Sequence, residues 1–152
     1  VKKMASLFLP FYDCHKCDMT LPYPGIPEMP RKIAAAGVVP AVASNKYQDG
    51  AEKLVRHFFG DIDFIRILGQ REGQPIKPDP AIVHQIMAMI PGITSDEVVY
   101  VGDSDVDMQT GANAGVRTVG VTWGFRSRAE LEAGKPWKIA ETAEELGNLI
   151  CL

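Results

Sequence analysis

The chain has 152 residues, a formal net charge of −3, 46% apolar residues and 23% charged residues. These values are ordinary for one globular domain, and no basic run points to nucleic acid as a partner. No apolar run is long enough to cross a bilayer, and the start has no signal-peptide pattern. Three cysteines do not make a disulfide framework, so we expect a reducing, cytoplasmic setting.

Residues 1–24 carry the weakest structural signal. The run from Met4 to Tyr12 is apolar but too short to distinguish a helix from a buried strand. Cys14-His15-Lys16-Cys17 has the spacing of a zinc or redox motif, but it has no second pair of ligands, so that role is not favoured. Pro22-Tyr23-Pro24-Gly25 predicts a turn or hinge. Because the first residue is not Met, we expect a fragment or a processed piece.

From Pro27 onward, predicted helices and strands alternate. The predicted helices are Pro27–Ala36, Tyr47–Phe59, Pro80–Ile90, Val106–Ala114, and two that follow capping boxes at Ser127-x-x-Glu130 and Thr142-x-x-Glu145. The predicted strands are Val38–Ala43, Phe64–Leu68, Val98–Val101, Arg117–Val121 and an edge strand, Lys138–Ala140. This order implies right-handed crossovers, and therefore an α/β fold with a parallel sheet between two helix layers.

Three acids at alternate positions, Asp103, Asp105 and Asp107, follow a predicted strand that ends in glycine. In open α/β sheets, ligands bind beyond the carboxyl ends of strands. Crowded carboxylates repel one another unless a cation joins them, and oxygen ligands suit Mg²⁺. An EF-hand is excluded because Met108 and Ala114 stand where that loop needs Gly and Glu. A solvated acidic loop is the alternative to a metal site.

Two further strand ends carry polar groups. Ser44-Asn45 follows one strand, and Lys77 lies between prolines in the loop after the next. A hydroxyl, an amide, an ammonium and a bound cation together suit a phosphoryl group. Taken singly, each residue has a plainer interpretation: Ser44 as the cap of the next helix, and Lys77 as a solvated lysine.

Three segments in this order resemble the haloacid dehalogenase-like superfamily, and within it the phosphoglycolate phosphatase type. They are Ser44-Asn45-Lys46, Lys77-Pro78-Asp79-Pro80 and Val101-Gly102-Asp103-Ser104-Asp105-Val106-Asp107-Met108. Similar segments also occur at Thr20–Ile26, Asn113-Ala114-Gly115 and Trp123-Gly124-Phe125-Arg126. The likeness extends from Tyr12 to the C-terminus. It implies a Rossmann-like core over residues 25–152, preceded over residues 1–24 by the remnant of a helical cap and its hinge.

The resemblance implies a Mg²⁺-dependent phosphatase acting on a small phosphorylated metabolite, with neither nucleic acid nor membrane as partner. Ser44 and the backbone N–H of Asn45 would bind the phosphoryl group, and Lys77 would steady the nucleophile and the phosphoryl charge. Asp103 would bind Mg²⁺, and Asp107 would be a second ligand or a support for the waters on the metal. The alternatives are a phosphomutase or dehalogenase of the same superfamily, or a non-catalytic binding or assembly module.

One departure from the family is expected to matter most. In the family an aspartate pair, Asp-x-Asp-x-Thr or Val, ends the first strand and supplies the nucleophile and the acid-base group. No such pair precedes Ser44, and Asp13-Cys14-His15 has His where the second Asp is needed. We therefore expect the C-terminal part of a phosphatase, nearly inactive alone, with its central strand missing.

The absent strand would lie between the strands ending at Ala43 and Val101. Unpaired, buried strand edges are costly, so we expect something to fill this slot. The candidates are the segment Met4–Leu9, a strand from a neighbouring chain through self-association, or closure of the two flanking strands.

Overall fold

The computed structural model describes residues 11–12 and 14–151. Helices and strands alternate from residue 29 onward, as predicted. The helices are α1 (Met29–Ala35), α2 (Gln48–Phe59), α3 (Ala81–Met87), α4 (Asp105–Ala114), α5 (Arg128–Ala133) and α6 (Ala143–Ile150). The strands are β1 (Ala41–Tyr47), β2 (Arg66–Gln70), β3 (Val99–Gly102), β4 (Arg117–Val121) and β5 (Lys138–Ala140). A short 3₁₀ helix at Ser95–Glu97 precedes β3.

Every strand pairing among the described residues is parallel, which confirms the predicted fold class. β1 pairs with β2, with Ala41 opposite Arg66, and β4 lies between β3 and β5, with Val101 opposite Val119. The strands form two sheets instead of the one that was expected. The division falls between β1 and β3, where the resemblance predicts the absent strand.

Side chains of β3 pack on both faces of its sheet because successive residues of a strand point to opposite sides. Tyr100 belongs to a core cluster that includes Val83 of α3. Val99 and Val101 pack against the other cluster, which includes Val119. Burial on both faces explains why the sequence of this strand is continuously apolar.

β1 is longer than predicted at its carboxyl end. The predicted strand stops at Ala43, whereas β1 continues to Tyr47, with an irregularity in its pairing to β2 between these two residues. Tyr47 has an extended backbone, with φ −50° and ψ 141°, so α2 begins at Gln48. The polar segment between Ala43 and Tyr47 is therefore part of the strand and not a helix start.

The predicted capping boxes have different outcomes. Ser127 and Glu130 make both reciprocal bonds at the start of α5, as predicted. At α6 the Thr142 hydroxyl accepts from the backbone N–H of Glu145, but the Glu145 carboxylate accepts from the backbone N–H of Glu141. The second capping box is thus confirmed for the Thr142 hydroxyl. The Glu145 carboxylate binds the N–H of Glu141, one residue before the N–H that was predicted.

A cleft of about 830 Å³ lies between β1 and β3. We call it the inter-sheet cleft; Ala41 and Ala43 line its β1 wall, and Val99 and Val101 line its β3 wall. Closure of the flanking strands, one of the three predicted outcomes, is therefore wrong. Met4–Leu9 falls outside the described residues, and self-association stays a prediction. None of the helices in the described ranges is long and apolar enough to cross a bilayer.

Gly111 allows α4 to pack closely on β4. A Cβ at this position would overlap the hydroxyl of Thr118, which is buried. We expect Gly111→Ala to lower the free energy of unfolding by about 1–3 kcal/mol, because the packed strand cannot move aside. Urea unfolding followed by circular dichroism measures the change.

Gly147 provides the matched control. It is also a buried glycine within a helix, but a Cβ there would meet only ordinary contacts, the nearest at 3.7 Å. Gly147→Ala should leave stability unchanged or raise it by up to about 1 kcal/mol, since Ala favours helix. Equal destabilisation by both substitutions would contradict the packing argument.

Candidate active site

The end of β1 and the loop that contains Lys77 are joined by one side chain. The Asn45 carboxamide accepts from the backbone N–H of Lys77 at 2.9 Å and donates to the Lys77 carbonyl at 3.1 Å. Both bonds are made to the backbone of Lys77. They therefore fix the position of the loop and leave the lysine side chain available for other contacts. Ser44 and Asn45 thus lie beside Lys77, as the order of the motifs predicts.

The Lys77 side chain connects this group to the acids after β3. Its Nζ lies 2.7 Å from Oδ1 of Asp107 and 3.2 Å from the carbonyl oxygen of Ala43. The two charged side chains are only 11% and 9% exposed. The solvated-lysine interpretation of Lys77 is therefore wrong. The solvated-loop interpretation fails for Asp107 for the same reason.

Asp107 is surrounded by hydrogen-bond donors. Besides Lys77, Oδ1 accepts from the Tyr100 hydroxyl at 3.2 Å, and Oδ2 accepts from the Ser104 hydroxyl at 2.6 Å and from the Asp103 N–H at 3.3 Å. Burial by itself would raise the pKa of Asp107, but the bonds from Lys77 and Ser104 and the lysine charge outweigh it, so the pKa lies below its usual value. Asp107 is therefore a carboxylate at neutral pH.

Asp103 is held from the opposite side by the loop after β4. Its Oδ2 accepts from the backbone N–H of Phe125 at 2.9 Å, and its carbonyl accepts from the N–H of Arg126. A Cβ at Gly124 would overlap the Asp103 carboxylate, so only glycine permits this approach. No donor among the described residues reaches Oδ1 of Asp103. One oxygen of this carboxylate is therefore free to bind a ligand.

The donor set at the rim fits Mg²⁺. In the described ranges, three or more His, Cys, Asp or Glu side chains are nowhere grouped so that they could hold a metal ion. Mg²⁺ does not need such a group, because it is bound through one or two carboxylates and keeps several waters. Asp103 has a free oxygen, whereas both oxygens of Asp107 already accept hydrogen bonds. Asp103 is thus suited to direct ligation and Asp107 to support. Asp105 pairs instead with Arg126 at 3.0 Å.

Ser44 does not cap a helix. Its hydroxyl oxygen accepts from the backbone N–H of Lys46 at 3.1 Å, and α2 has Tyr47 at its N-cap, with no side-chain cap bond. The capping interpretation of Ser44 is therefore wrong. The Ser44 O–H donates to no acceptor among the described residues, which leaves it available to an incoming anion.

Several contributors to the site were not predicted. Ser104 is the N-cap of α4. Its hydroxyl donates to the Asp107 carboxylate and accepts from the Asp107 backbone N–H. The Ser-x-x-Asp spacing is a capping signal that the sequence shows. The Tyr100 hydroxyl is a polar group in an otherwise apolar strand, which in the sequence is only a weak indication of a role at the site. Asn113 donates to the carbonyl of Pro78 at 2.9 Å and so fixes the lysine loop. Nothing in the local sequence indicates that long-range contact.

The sequence matches the pattern of the haloacid dehalogenase-like hydrolases over residues 2–121. The chain belongs to this family. The resemblance on which the sequence analysis relied is thereby confirmed.

Named relatives of this haloacid dehalogenase-like chain support the phosphoglycolate phosphatase type. The chain is 29% identical to the phosphoglycolate phosphatase of Haemophilus influenzae, over 98% of this chain and 66% of that protein. A solved structure from Lactobacillus delbrueckii subsp. bulgaricus, provisionally named a phosphoglycolate phosphatase, is 34% identical, with a TM-score of 0.89 over 98% of this chain and 62% of that one.

A third relative was solved with a bound sugar phosphate. It is CbbY of Rhodobacter sphaeroides, a mutant of which was solved with xylulose-(1,5)bisphosphate; it is 28% identical, with a TM-score of 0.67 over 82% of this chain and 55% of that one. The haloacid dehalogenase-like chain thus spans about two thirds or less of the length of these three relatives.

Removing the Lys77 ammonium should destabilise the fold. Lys77→Met leaves Asp107 buried without its cation, which typically costs about 3 kcal/mol of unfolding free energy. The double variant Lys77→Met/Asp107→Asn should recover part of this loss, because the uncompensated charge is gone. Urea unfolding gives both values. Lys53→Met, at an exposed position of α2, is the control and should change stability by no more than about 0.5 kcal/mol.

The lowered pKa of Asp107 predicts a pH dependence of stability. A carboxyl whose pKa falls on folding stabilises the native state above its unfolded value, about pH 4, and the gain is lost as pH drops below that. We expect the stability difference between the native sequence and Asp107→Asn to shrink as pH is lowered from about 5 to 3. Unfolding is measured with a chelator present. A difference that stays constant over this range would contradict the assignment.

Proposed function

We propose that this chain is the C-terminal part of a Mg²⁺-dependent phosphatase that hydrolyses a small phosphate monoester of the phosphoglycolate kind. The observation that supports it is the buried Lys77 ammonium, held between Ala43 of β1 and Asp107 after β3. In this proposal residues 25–152 form the Rossmann-like core, and residues 1–24 are what remains of a helical cap with its hinge. The relatives named phosphoglycolate phosphatases support the substrate class.

The chain's own residues account for binding of the phosphoryl group. The Ser44 hydroxyl and the Asn45 backbone N–H donate to its oxygens. Lys77 lies within the same group of contacts and offsets negative charge as it develops in the transition state. Since Asn45 fixes the backbone of Lys77, the two anion-binding elements keep a constant separation.

Asp103 would hold Mg²⁺ through its free oxygen, with Asp107 supporting the site through its hydrogen bonds. When bound, the ion supplies positive charge that offsets the charge of the phosphoryl oxygens. Phe125 and Gly124 keep Asp103 in place by a hydrogen bond and by shape.

The nucleophile has to come from outside these 152 residues. An aspartyl-phosphate mechanism needs an aspartate pair at the end of a preceding strand, and none occurs before Ser44. We therefore expect the chain alone to bind Mg²⁺ and phosphate with negligible turnover. Its three cysteines are free, which is consistent with a reducing, cytoplasmic setting.

Binding measurements on the chain test this proposal. Mg²⁺ is titrated by calorimetry, and inorganic phosphate is titrated in its presence while NMR follows the amide signals of Ser44 and Asn45. Asp103→Asn should weaken Mg²⁺ binding at least about tenfold, and Ser44→Ala should weaken phosphate binding. Asp105→Asn is the matched control, two residues away in the same segment but paired with Arg126, and should change neither.

The two readouts separate the candidate functions. A folded chain that binds neither Mg²⁺ nor phosphate would favour the non-catalytic binding or assembly module. Normal turnover of phosphoglycolate by this chain would refute the missing-nucleophile part of the proposal. Equal effects of Asp103→Asn and Asp105→Asn would refute the metal assignment.

A further inference from the structure

Lys46 follows Ser44 and Asn45 at the end of β1, and the proposed function gives it no role. Residues two apart in a strand share a face, so its side chain leaves β1 on the same side as that of Ser44. Burial alternates accordingly: Ser44 and Lys46 are half-buried, whereas Asn45 and Tyr47 are exposed. The Ser44 hydroxyl also accepts from the Lys46 backbone N–H at 3.1 Å. The Lys46 side chain therefore starts beside the hydroxyl that would bind the phosphoryl group.

Two groups orient the Lys46 side chain. Its aliphatic stem lies against the first turn of α2, where a Cβ on Gly50 would be 3.5 Å from Cγ of Lys46 and 3.6 Å from its Cδ. Its Nζ donates to the hydroxyl of Tyr12 and lies 4.8 Å from the centre of the tyrosine ring. Tyr12 precedes Lys46 by 34 residues and belongs to the segment that would be the cap remnant. The ammonium is thus positioned before any ligand binds, which lowers the cost of binding.

The charge of Lys46 has no counterion in residues 11–12 and 14–151. Two other cations of the site are paired there, Lys77 with Asp107 at 2.7 Å and Arg126 with Asp105 at 3.0 Å. Lys46 directs one of its three N–H groups to the tyrosine hydroxyl, and the other two meet no acceptor in the same part of the chain. Since a charge that is partly removed from water is normally paired, this position favours an anionic ligand.

The separation of the two side chains suits a short ligand with two anionic ends. Residues two apart in a strand have Cα atoms about 6.6 Å apart. In phosphoglycolate, one oxygen atom and one carbon atom separate the phosphorus from the carboxylate carbon. A ligand of this length extends from the Ser44 hydroxyl to the Lys46 ammonium. A carboxylate also matches the ammonium chemically, because its single charge and two oxygens correspond to one positive charge and two unused N–H groups.

We propose that Lys46, oriented by Tyr12, binds the carboxylate of the ester whose phosphoryl group lies at Ser44, and so selects small monoesters that carry a carboxylate. The inference rests on the proposed function and deepens it, because it assigns the second anionic group of the substrate to one residue. Lys46 is then a specificity-determining residue and Tyr12 a positioning residue. Neither takes part in making or breaking a covalent bond.

Three ligands of similar size test the proposal on this chain in the presence of Mg²⁺. They are phosphoglycolate, ethyl phosphate, which has a methyl group in place of the carboxylate, and phosphoethanolamine, which ends in an ammonium. Each is titrated while NMR follows the amide signals of residues 44–46. We expect phosphoglycolate to bind about tenfold more tightly than ethyl phosphate, because it gains a charge-assisted hydrogen bond. Phosphoethanolamine should bind most weakly, since Lys46 repels its ammonium.

Matched variants assign the preference for phosphoglycolate over ethyl phosphate to one side chain. Lys46→Met keeps the stem and removes the charge, so the preference should fall to about twofold or less. Lys46→Arg keeps the charge and should retain most of the preference. Tyr12→Phe keeps the ring and removes the hydroxyl, so the preference should fall only in part. Lys53→Met, exposed on α2, removes the same net charge and should leave the preference unchanged. Circular dichroism checks that each variant is folded.

The outcomes separate this inference from the proposed function. Equal affinity of the native chain for phosphoglycolate and ethyl phosphate would overturn the inference and leave the proposed function intact. A preference that survives in Lys46→Met, or one that falls equally in Lys53→Met, would do the same, because the charge of Lys46 would then not be its source. Binding of neither ester would overturn the proposed function, and the inference with it.

Discussion

The contact between the Lys77 ammonium and the Asp107 carboxylate holds the site together. One charge comes from the loop after β2 and the other from the first turn of α4, so the pair spans the gap between the two sheets. An ion pair this buried is not a strong source of stability, because desolvation offsets much of the attraction. Its value is positional. If either side chain moved away, the other charge would stay buried without a partner. The pair therefore keeps the loop after β2 and the start of α4 in a fixed relative position.

Glycines set the shape of the acidic side of the rim. A side chain at Gly102 would overlap Asp107, and one at Gly124 would overlap Asp103. The backbone therefore lies close to both carboxylates. The N–H of Asp103 donates to the Asp107 carboxylate, and the N–H of Phe125 donates to the Asp103 carboxylate. Here the absence of side chains, and not an added group, determines where the acids point.

The sequence predicted the elements of this fold well because its signals are local. Apolar strands closed by glycine, helical spacing and capping pairs such as Ser127 and Glu130 depend on neighbours a few residues away. The motif order also predicted correctly that Ser44, Lys77 and the acids meet at one rim, because parallel strands end on one side. The end of β1 was missed, since Ser44 and Asn45 resemble a helix start when viewed alone.

What sequence reasoning could not supply was the partner of each polar atom. The contacts of Asn45 with Lys77 and of Asn113 with Pro78 join positions more than thirty residues apart. No spacing rule selects one asparagine for such a contact over another. The gap between β1 and β3 was foreseen only through the family's missing strand, because the order of helices and strands alone predicts a single continuous sheet.

The irregularity at the end of β1 gains meaning from the Asn45 contact. Main-chain pairing with β2 is interrupted between Ala43 and Tyr47, and within that interval the Asn45 carboxamide meets both backbone groups of Lys77. An amide side chain here imitates a peptide group and continues the hydrogen-bonding pattern in another direction. Within this interval the strand thus contacts the lysine loop in place of β2, and pairing with β2 resumes at Tyr47, opposite Gln70. A chain that lost this one carboxamide would keep its secondary structure, but the lysine loop would lose its hydrogen bonds to β1 at Asn45.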